Sequence, residues 1–211
     1  MCILSGTLTD SCPGRYARGM AKVEVKTHHW SRAQYDRLIA VGFFQPRDPI
    51  ELIGGQLVVA EPQGTYHFTA IQAVEEVLRA TFGPGWQVRG QGPVALDHES
   101  EPEPDVAVVP GSFRDYAAEH PSRPVLMVEV SESSLRFDRY HKGSVYARAG
   151  LADYWILNLV DRVLEVYRDP VQDPDAAFGW RYRSVETLGP EGFISPLAQS
   201  GARISVGDLF P

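Results

Sequence analysis

The chain has 211 residues, of which 44% are hydrophobic and 22% are charged, a composition typical of a globular protein with one substantial core. Its net charge of −7 counts against a dedicated nucleic-acid-binding protein, which usually carries a basic surplus, although local basic patches stay possible. No apolar stretch approaches the roughly 20 residues that span a bilayer, and both cysteines, Cys2 and Cys12, lie outside the patterned segments, which excludes a disulfide framework. We therefore expect a cytoplasmic protein with no membrane partner.

The first 28 residues are interpreted as a poorly ordered N-terminal extension, because residues 1–19 carry neither a helical nor a strand period. Met20 directly precedes the patterned sequence and is a candidate for the natural start. A mass spectrum showing residues 1–19 in the native protein would contradict that hypothesis. Residues 29–211 are expected to form one domain.

A short helix and a hairpin are the next predicted elements. Ser31 is a good N-cap for the helix in SRAQYDRLIAVG. The predicted apolar face of this helix consists of Tyr35, Leu38 and Ile39. The segment ELIGGQLVVAE predicts a hairpin, because Gly54 and Gly55 both tolerate the positive φ angles of a tight turn.

A long helix follows in HFTAIQAVEEVLRATFG and ends before Gly83 and Pro84. Its predicted apolar face consists of Phe68, Ile71, Val74 and Leu78. Downstream, WQVRGQGPVAL predicts a strand, a break and a second short strand, and PDVAVVP predicts a further strand that opens at Asp105.

The segment PVLMVEVSE is apolar on both faces and therefore predicts the central strand of the sheet. A helix from Asp138 to Ala149, a strand pair in DYWILNLVDRVLEVYR, and edge strands in GWRYRSVE and in the GFISP to GDLFP tail follow it. This order of elements predicts an α/β (α+β) domain, in which a mixed sheet is flanked by helices.

Glu129 is the single carboxylate within the apolar central strand, and burying it costs several kcal/mol unless it is paired, protonated or bound to a cation. Asp105 faces a comparable penalty at the start of its own strand. If the two strands are neighbours, both carboxylates can bind one hard divalent cation such as Mg²⁺.

Lys142 lies one helical turn after Asp138 and one turn before Tyr146, so the three side chains share a face of the predicted helix. A lysine beside a cation-bound water can orient that water or neutralise developing charge. The alternative is an exposed Asp138–Lys142 pair worth only about 0.3–0.5 kcal/mol, and spacing alone favours this alternative. Tyr146, Tyr154 and Trp155 are predicted to be core residues.

Three motifs resemble the Uma2 family of restriction endonuclease-like proteins, within the PD-(D/E)XK nuclease superfamily. They are PD at Pro104-Asp105, EV at Glu129-Val130, and DRYHKGSVYARAGLADYWIL from Asp138. Matches near the start, in RAQYDRLIAVGFFQPRDPIELIGGQLV, and at the closing ISP and DLF extend the resemblance to about residues 29–211.

The resemblance implies a restriction endonuclease-like fold in which Asp105, Glu129 and the backbone carbonyl of Val130 bind Mg²⁺, which Mn²⁺ can replace. The superfamily pattern places a lysine two residues after the strand acid, where this chain has Ser131; the resemblance implies that Lys142 takes that catalytic role from the next helix.

Two further family positions match Glu51 and His67. Glu51 would touch the metal directly or through water, or else lie in solvent at the start of the hairpin. His67 would support the catalytic centre, together with Asp138, or else pack at the start of its helix. Relatives often carry Asp-Gly where this chain has Gly54-Gly55, a change expected to affect only the turn.

Two functions from different classes follow. One is an Mg²⁺-dependent endonuclease that hydrolyses DNA phosphodiester bonds with metal-activated water, acting as a homodimer or higher homo-oligomer. The other is a non-catalytic homo-oligomeric interaction protein that retains the nuclease fold. Convergence of Asp105, Glu129 and Lys142 around a cation-sized space would favour the enzyme.

Overall fold

The computed structural model describes residues 27–45, 48–60 and 62–211. The predicted N-terminal extension, residues 1–28, lies outside those ranges except for residues 27 and 28, and the hypothesis about Met20 also concerns residues outside them. Within the described ranges, no helix is long and apolar enough to cross a membrane.

The elements follow the predicted order closely. In chain order they are α1 (Arg32–Ala40), β1 (Ile50–Ile53), β2 (Gln56–Val59), α2 (Thr65–Phe82), β3 (Trp86–Gly90), β4 (Val106–Pro110), β5 (Leu126–Ser131), α3 (Leu135–Phe137, Asp138–Lys142 and Gly143–Arg148), β6 (Asp153–Asn158), β7 (Val163–Gln172), β8 (Trp180–Leu188), β9 (Phe193–Ile194) and β10 (Ile204–Ser205). The middle part of α3 is a π-helical turn, and its flanking parts are α-helical.

The main sheet has six strands in the order β3-β4-β5-β6-β7-β8. Strand β5 pairs antiparallel with β4 and parallel with β6, so α3 is the crossover that a parallel pair requires. All six residues of β5 are buried, which agrees with a strand that is covered on both faces. The predicted mixed sheet with a central VLMVEV strand is confirmed.

The two faces of this sheet pack against different helices. On one face, Val128 and Val130 of β5 join Trp155 and Leu157 of β6 in a core with α2. On the other face, Met127 packs with residues of α3 and with the hairpin of β1 and β2. Glu129 lies between Met127 and Ser131 in the alternation of β5, so it faces α3 rather than α2.

The apolar faces of α1 and α2 each differ from the prediction at one residue. In α1, Ser31 and Gln34 form a capping box and Tyr35 is buried, but Ile39 is 50% exposed. In α2, Ile71, Val74 and Leu78 are buried, whereas Phe68 is 47% exposed. Phe68 follows His67, which lines an open cavity, so the first turn of α2 lies beside that cavity.

The hairpin needs its glycines for a reason beyond the turn. Gly54 and Gly55 have φ angles of 53° and 78°, as a tight turn requires. A Cβ atom on Gly54 would also lie 2.1 Å from the ring of Phe178, and one on Gly55 would lie 2.2 Å from the ring of His29. The expectation that the missing aspartate affects only the turn was therefore incomplete.

Two predicted strands are not as expected. Val94–Leu96 forms no strand in the main sheet; instead its backbone bonds locally, with Val94 N–H donating to Pro102 O at 2.9 Å. The tail forms no edge of the main sheet either, because β9 pairs only with β10. Val206 and Leu209 beyond β10 are buried in the core beneath α2.

Candidate active site

The two carboxylates predicted to converge lie on neighbouring strands. The β4–β5 ladder ends at the pair Val106 and Val128, so Asp105 and Glu129 occupy the next position of that register. Asp105 Oδ2 accepts a hydrogen bond from the backbone N–H of Val130 at 2.8 Å. At the end of the β4–β5 ladder, the Asp105 side chain therefore accepts the hydrogen bond from the β5 backbone. This contact places Asp105 against the Glu129–Val130 backbone.

Lys142 reaches the same place from α3. Its Nζ lies 3.2 Å from Glu129 Oε1 and 3.3 Å from Glu51 Oε1, and its residue is only 7% exposed. Glu51 is held by the backbone N–H of Glu103, which donates to Oε2 at 2.9 Å. Glu51 is therefore not the solvent-exposed glutamate of the alternative interpretation, since it is 5% exposed.

Asp138 does not pair with Lys142. Its Oδ2 accepts hydrogen bonds from the hydroxyls of Ser131 at 2.7 Å and Ser134 at 2.6 Å, and the residue is 3% exposed. The alternative of an exposed Asp138–Lys142 ion pair was wrong, because both side chains are buried and each has different partners. Asp138 instead joins the start of α3 to the end of β5.

These side chains line one cavity of about 630 Å³. Its carboxylates are Glu51, Glu103, Asp105, Glu129, Glu132 and Asp138. Lys142 is the lysine in the lining, and it is also the only lysine in the part of the chain that the structure describes. One wall is apolar and comes from β1, β2 and the chain that precedes α2. The cavity is not plugged by apolar side chains.

Burial and charge set the protonation states on the cavity floor. Burial raises the pKa of Glu129 well above its usual value, and the ammonium of Lys142 only partly opposes that shift. Burial alone would lower the pKa of Lys142, but the carboxylates of Glu129 and Glu51 outweigh it and raise that pKa. The carboxylates around Lys142 therefore favour its charged ammonium form.

His67 extends from the first turn of α2 towards Asp105. Its Nε2 lies 3.7 Å from Asp105 Oδ2, and this buried nitrogen has no hydrogen-bond partner among the described residues. Gln63 Nε2 donates to the other carboxylate oxygen of Asp105 at 3.3 Å. His67 is thus a cavity residue and not simply a packing residue at the start of a helix.

The cavity offers oxygen donors for the expected cation. In the described ranges, no three His, Cys, Asp or Glu side chains are grouped closely enough to hold a metal ion by themselves. Asp105, Glu129 and the nearby Val130 carbonyl nevertheless supply hard oxygen donors, and Mg²⁺ commonly binds one or two carboxylates while it keeps several waters. These residues fit a hydrated magnesium ion and do not form an all-protein cage.

One polar contact of the site was missed. The hydroxyl of Tyr146 donates to Glu129 Oε1 at 2.5 Å, although sequence reasoning assigned Tyr146 to the core. Tyr146 is indeed fully buried. The signal was its position four residues after Lys142 on the same helical face.

The comparisons with known proteins agree with this architecture. The Uma2 family model, described as "Putative restriction endonuclease", matches residues 32–207. A solved structure described as a "putative nuclease belonging to DUF820" from Anabaena variabilis is similar to this chain, with 18% sequence identity and a TM-score of 0.58. The match covers 82% of this chain and 96% of that chain, and it confirms the nuclease-like fold alone. No curated protein matches the chain.

Proposed function

This chain belongs to the Uma2 family, and from that membership we propose that it is an Mg²⁺-dependent endonuclease acting on the phosphodiester bonds of DNA. The observation that carries the proposal is the placement of Lys142. A buried ammonium lies within 3.3 Å of two buried glutamates, at the floor of the cavity that also holds Asp105.

The desolvation cost of these buried charges favours a functional site over one that has lost its function. Each buried ion carries a desolvation penalty of several kcal/mol, and apolar residues of similar volume would often be as stable or more stable. Asp105, Glu129 and Lys142 are 8%, 3% and 7% exposed, so none has its full hydration. A purely structural core has no need of three such groups beside an open cavity.

The residues of the chain divide the expected work. Asp105, Glu129 and the Val130 carbonyl would hold the cation, and Mg²⁺ when bound would supply a Lewis acid that activates water and stabilises phosphate charge. Lys142 places a fixed positive charge beside the reacting phosphate. Tyr146 orients Glu129 through its hydrogen bond, and Val130 N–H fixes the carboxylate of Asp105.

A plasmid-cleavage assay tests the proposal. The wild type with Mg²⁺ or Mn²⁺ should nick or linearise the DNA, and Asp105→Asn and Lys142→Met should each lose activity by about 100-fold or more. A matched control is Arg183→Met, which removes an exposed cation from the edge strand β8. Equal activity in all four proteins would indicate a contaminant and remove the claim.

The net charge of −7 favours a second candidate, a non-catalytic homo-oligomeric protein. Sedimentation velocity measures the oligomeric state, which is the central claim of this candidate. A wild type that forms a stable oligomer but cuts no DNA with either metal would support this candidate, and an active monomer would end it.

A further inference from the structure

Tyr66 and Arg162 form an exposed pair that the catalytic proposal does not use. Arg162 Nη1 donates to the Tyr66 hydroxyl at 2.9 Å across 96 residues of sequence. The ring of Tyr66 is 45% exposed, and the guanidinium of Arg162 also lies over the ring of Phe210, 5.2 Å from its centroid. Both groups are therefore held in position while they face solvent.

Neither residue lines the cavity, but each lies close to a residue or strand end that does. Tyr66 directly precedes His67, which lines the cavity, and consecutive Cα atoms are about 3.8 Å apart. Arg162 belongs to the turn between β6 and β7, and Leu159 in that turn donates its N–H to Ser131 O, at the end of β5, at 2.9 Å. Glu132, which follows Ser131, lines the cavity. The pair and the cavity thus open on the same edge of the sheet.

The phosphates that flank the reacting one need a positively charged partner other than Lys142. Lys142 is occupied by Glu51 and Glu129, so it cannot also bind the phosphates that flank the reacting one. Arg162 contacts a hydroxyl and an aromatic ring, and neither group carries a negative charge. Its guanidinium is therefore available to a phosphate of the substrate.

The backbone of Arg162 supports a role beyond folding. Its φ angle is +53°, in a region that side chains other than glycine, asparagine and aspartate rarely adopt. Asn158 already stabilises the turn, since its Oδ1 accepts the backbone N–H groups of Val160 and Asp161. Arginine at this position costs about 1 kcal/mol that a glycine would avoid.

We propose that Tyr66 and Arg162 form a binding subsite for one unpaired nucleotide next to the scissile phosphodiester. The base stacks on the ring of Tyr66, and the adjoining phosphate binds Arg162. Bases within an intact duplex are stacked on one another and cannot cover an aromatic side chain. The preferred substrate is therefore DNA that is single-stranded on one side of the cleavage point. This inference rests on the proposed nuclease function.

The test is binding of a fluorescent oligothymidylate of about 12 nucleotides, within the site size of single-strand-binding grooves. Fluorescence anisotropy is measured with the full chain in EDTA, so that no strand is cut. Tyr66→Ala should weaken binding about tenfold with an unchanged salt dependence. Arg162→Ala should weaken binding and lower the slope of log affinity against log salt by about 0.7, as expected for one lost phosphate contact.

A second aromatic–arginine pair of the chain provides the matched control. Arg203 lies 3.7 Å from the centroid of the Phe193 ring, and Phe193 is 49% exposed, but neither residue is next to a cavity-lining residue in the chain, whereas Tyr66 directly precedes His67. Phe193→Ala and Arg203→Ala should leave both affinity and slope unchanged. Tyr66→Phe keeps the ring and should bind within about twofold of the wild type, which separates stacking from loss of fold.

The outcomes separate this inference from the proposed function. Wild-type affinity in both Tyr66→Ala and Arg162→Ala, or equal binding of a duplex of the same sequence, would overturn the subsite. A wild type that binds the single strand through this pair but cuts neither plasmid nor overhang substrate would support the subsite and reject the nuclease.

Discussion

At the scale of single residues, Tyr146 is the group whose role sequence reasoning did not identify. Its hydroxyl donates to Glu129 Oε1 at 2.5 Å, and burial followed by the charge of Glu129 raises its pKa well above the usual value, so it stays a donor. Tyr146→Phe should lower kcat several-fold, with little change in KM, because Glu129 loses its orientation and the substrate contacts do not change. Steady-state cleavage kinetics measure this split.

The control for Tyr146 is Tyr154→Phe. Tyr154 is equally buried, but its hydroxyl donates to the backbone carbonyl of Asp138 at 3.1 Å. Tyr154→Phe should lower the free energy of unfolding by about 1 kcal/mol and leave kcat unchanged. An equal fall in kcat for both variants would show that Tyr146 acts only through packing.

Lys142 also contributes to the free energy of unfolding, because it is the counter-ion of Glu51 and Glu129. Lys142→Met leaves Glu51 and Glu129 facing each other without a counter-ion, which should cost about 3–5 kcal/mol near neutral pH. Burial already raises the pKa of Glu129, and loss of the ammonium raises it further. The folded variant then holds more protons than the unfolded chain, so the loss should shrink as pH falls. Urea unfolding from neutral to mildly acidic pH tests this sign.

Asp105 and Glu129 could be predicted from the sequence because their charge conflicts with their surroundings, whereas Lys142, Glu51 and His67 were identified through the family resemblance. A carboxylate within VLMVEV and an aspartate at the start of VAVVP are costly to bury. Each therefore indicates that a compensating charge or hydrogen bond lies nearby. The Tyr66–Arg162 pair gave no such signal, because its members are 96 residues apart and each is ordinary on a surface.

At the scale of elements, α3 is joined to the sheet by a second charged pair, between Arg139 of its π turn and Glu165 of β7. Glu165 accepts from Arg139 Nε at 2.9 Å, from Tyr167 and from Asn158. Burial raises the pKa of Glu165, but these hydrogen bonds outweigh burial and lower it. The pair therefore contributes stability above the ordinary carboxyl pKa of about 4.3 and loses it as pH falls further.

Arg139→Met should consequently reduce the free energy of unfolding by about 2 kcal/mol at neutral pH, a value discounted because Arg139 is partly exposed. The difference from the wild type should vanish in acid. Urea titrations at several pH values measure it, and a difference that grows in acid would contradict the assignment.

Most elements could be predicted because their periods and end signals are strong, as Ser31 shows at the start of α1 and Gly83 at the end of α2. The π turn could not be predicted, since a shift to i→i+5 bonding leaves no mark on the apolar period. It explains why Asp138 and Lys142, which a regular helix would place as neighbours, have different partners. The tail was assigned to the main sheet because its short apolar runs do not reveal which strand they pair with.

At the scale of the whole molecule, stability and cation binding should be linked. The folded chain holds Asp105 and Glu129 together, and the unfolded chain does not, so Mg²⁺ should bind the folded state preferentially. At 100 times its Kd, a ligand of this kind adds about 2.7 kcal/mol. Differential scanning fluorimetry should show a rise in Tm with Mg²⁺ for the wild type.

Asp105→Asn provides the contrast in this experiment, since it removes one anionic donor with little change in volume. Its Tm should not respond to Mg²⁺. Na⁺ at matched ionic strength should leave the wild type unchanged, and an equal rise with either salt would indicate screening of the net charge of −7 rather than a bound cation.

The close approach of Phe178 to Gly54 has a consequence for how this lineage can change. A side chain on Gly54 would occupy the space of the Phe178 ring, so either that ring or the hairpin that carries Glu51 would have to shift. Homologues with aspartate at the first turn position should therefore carry a small residue opposite it in the loop before β8. The two positions are expected to covary, and ancestral sequences should show the paired replacements arising together.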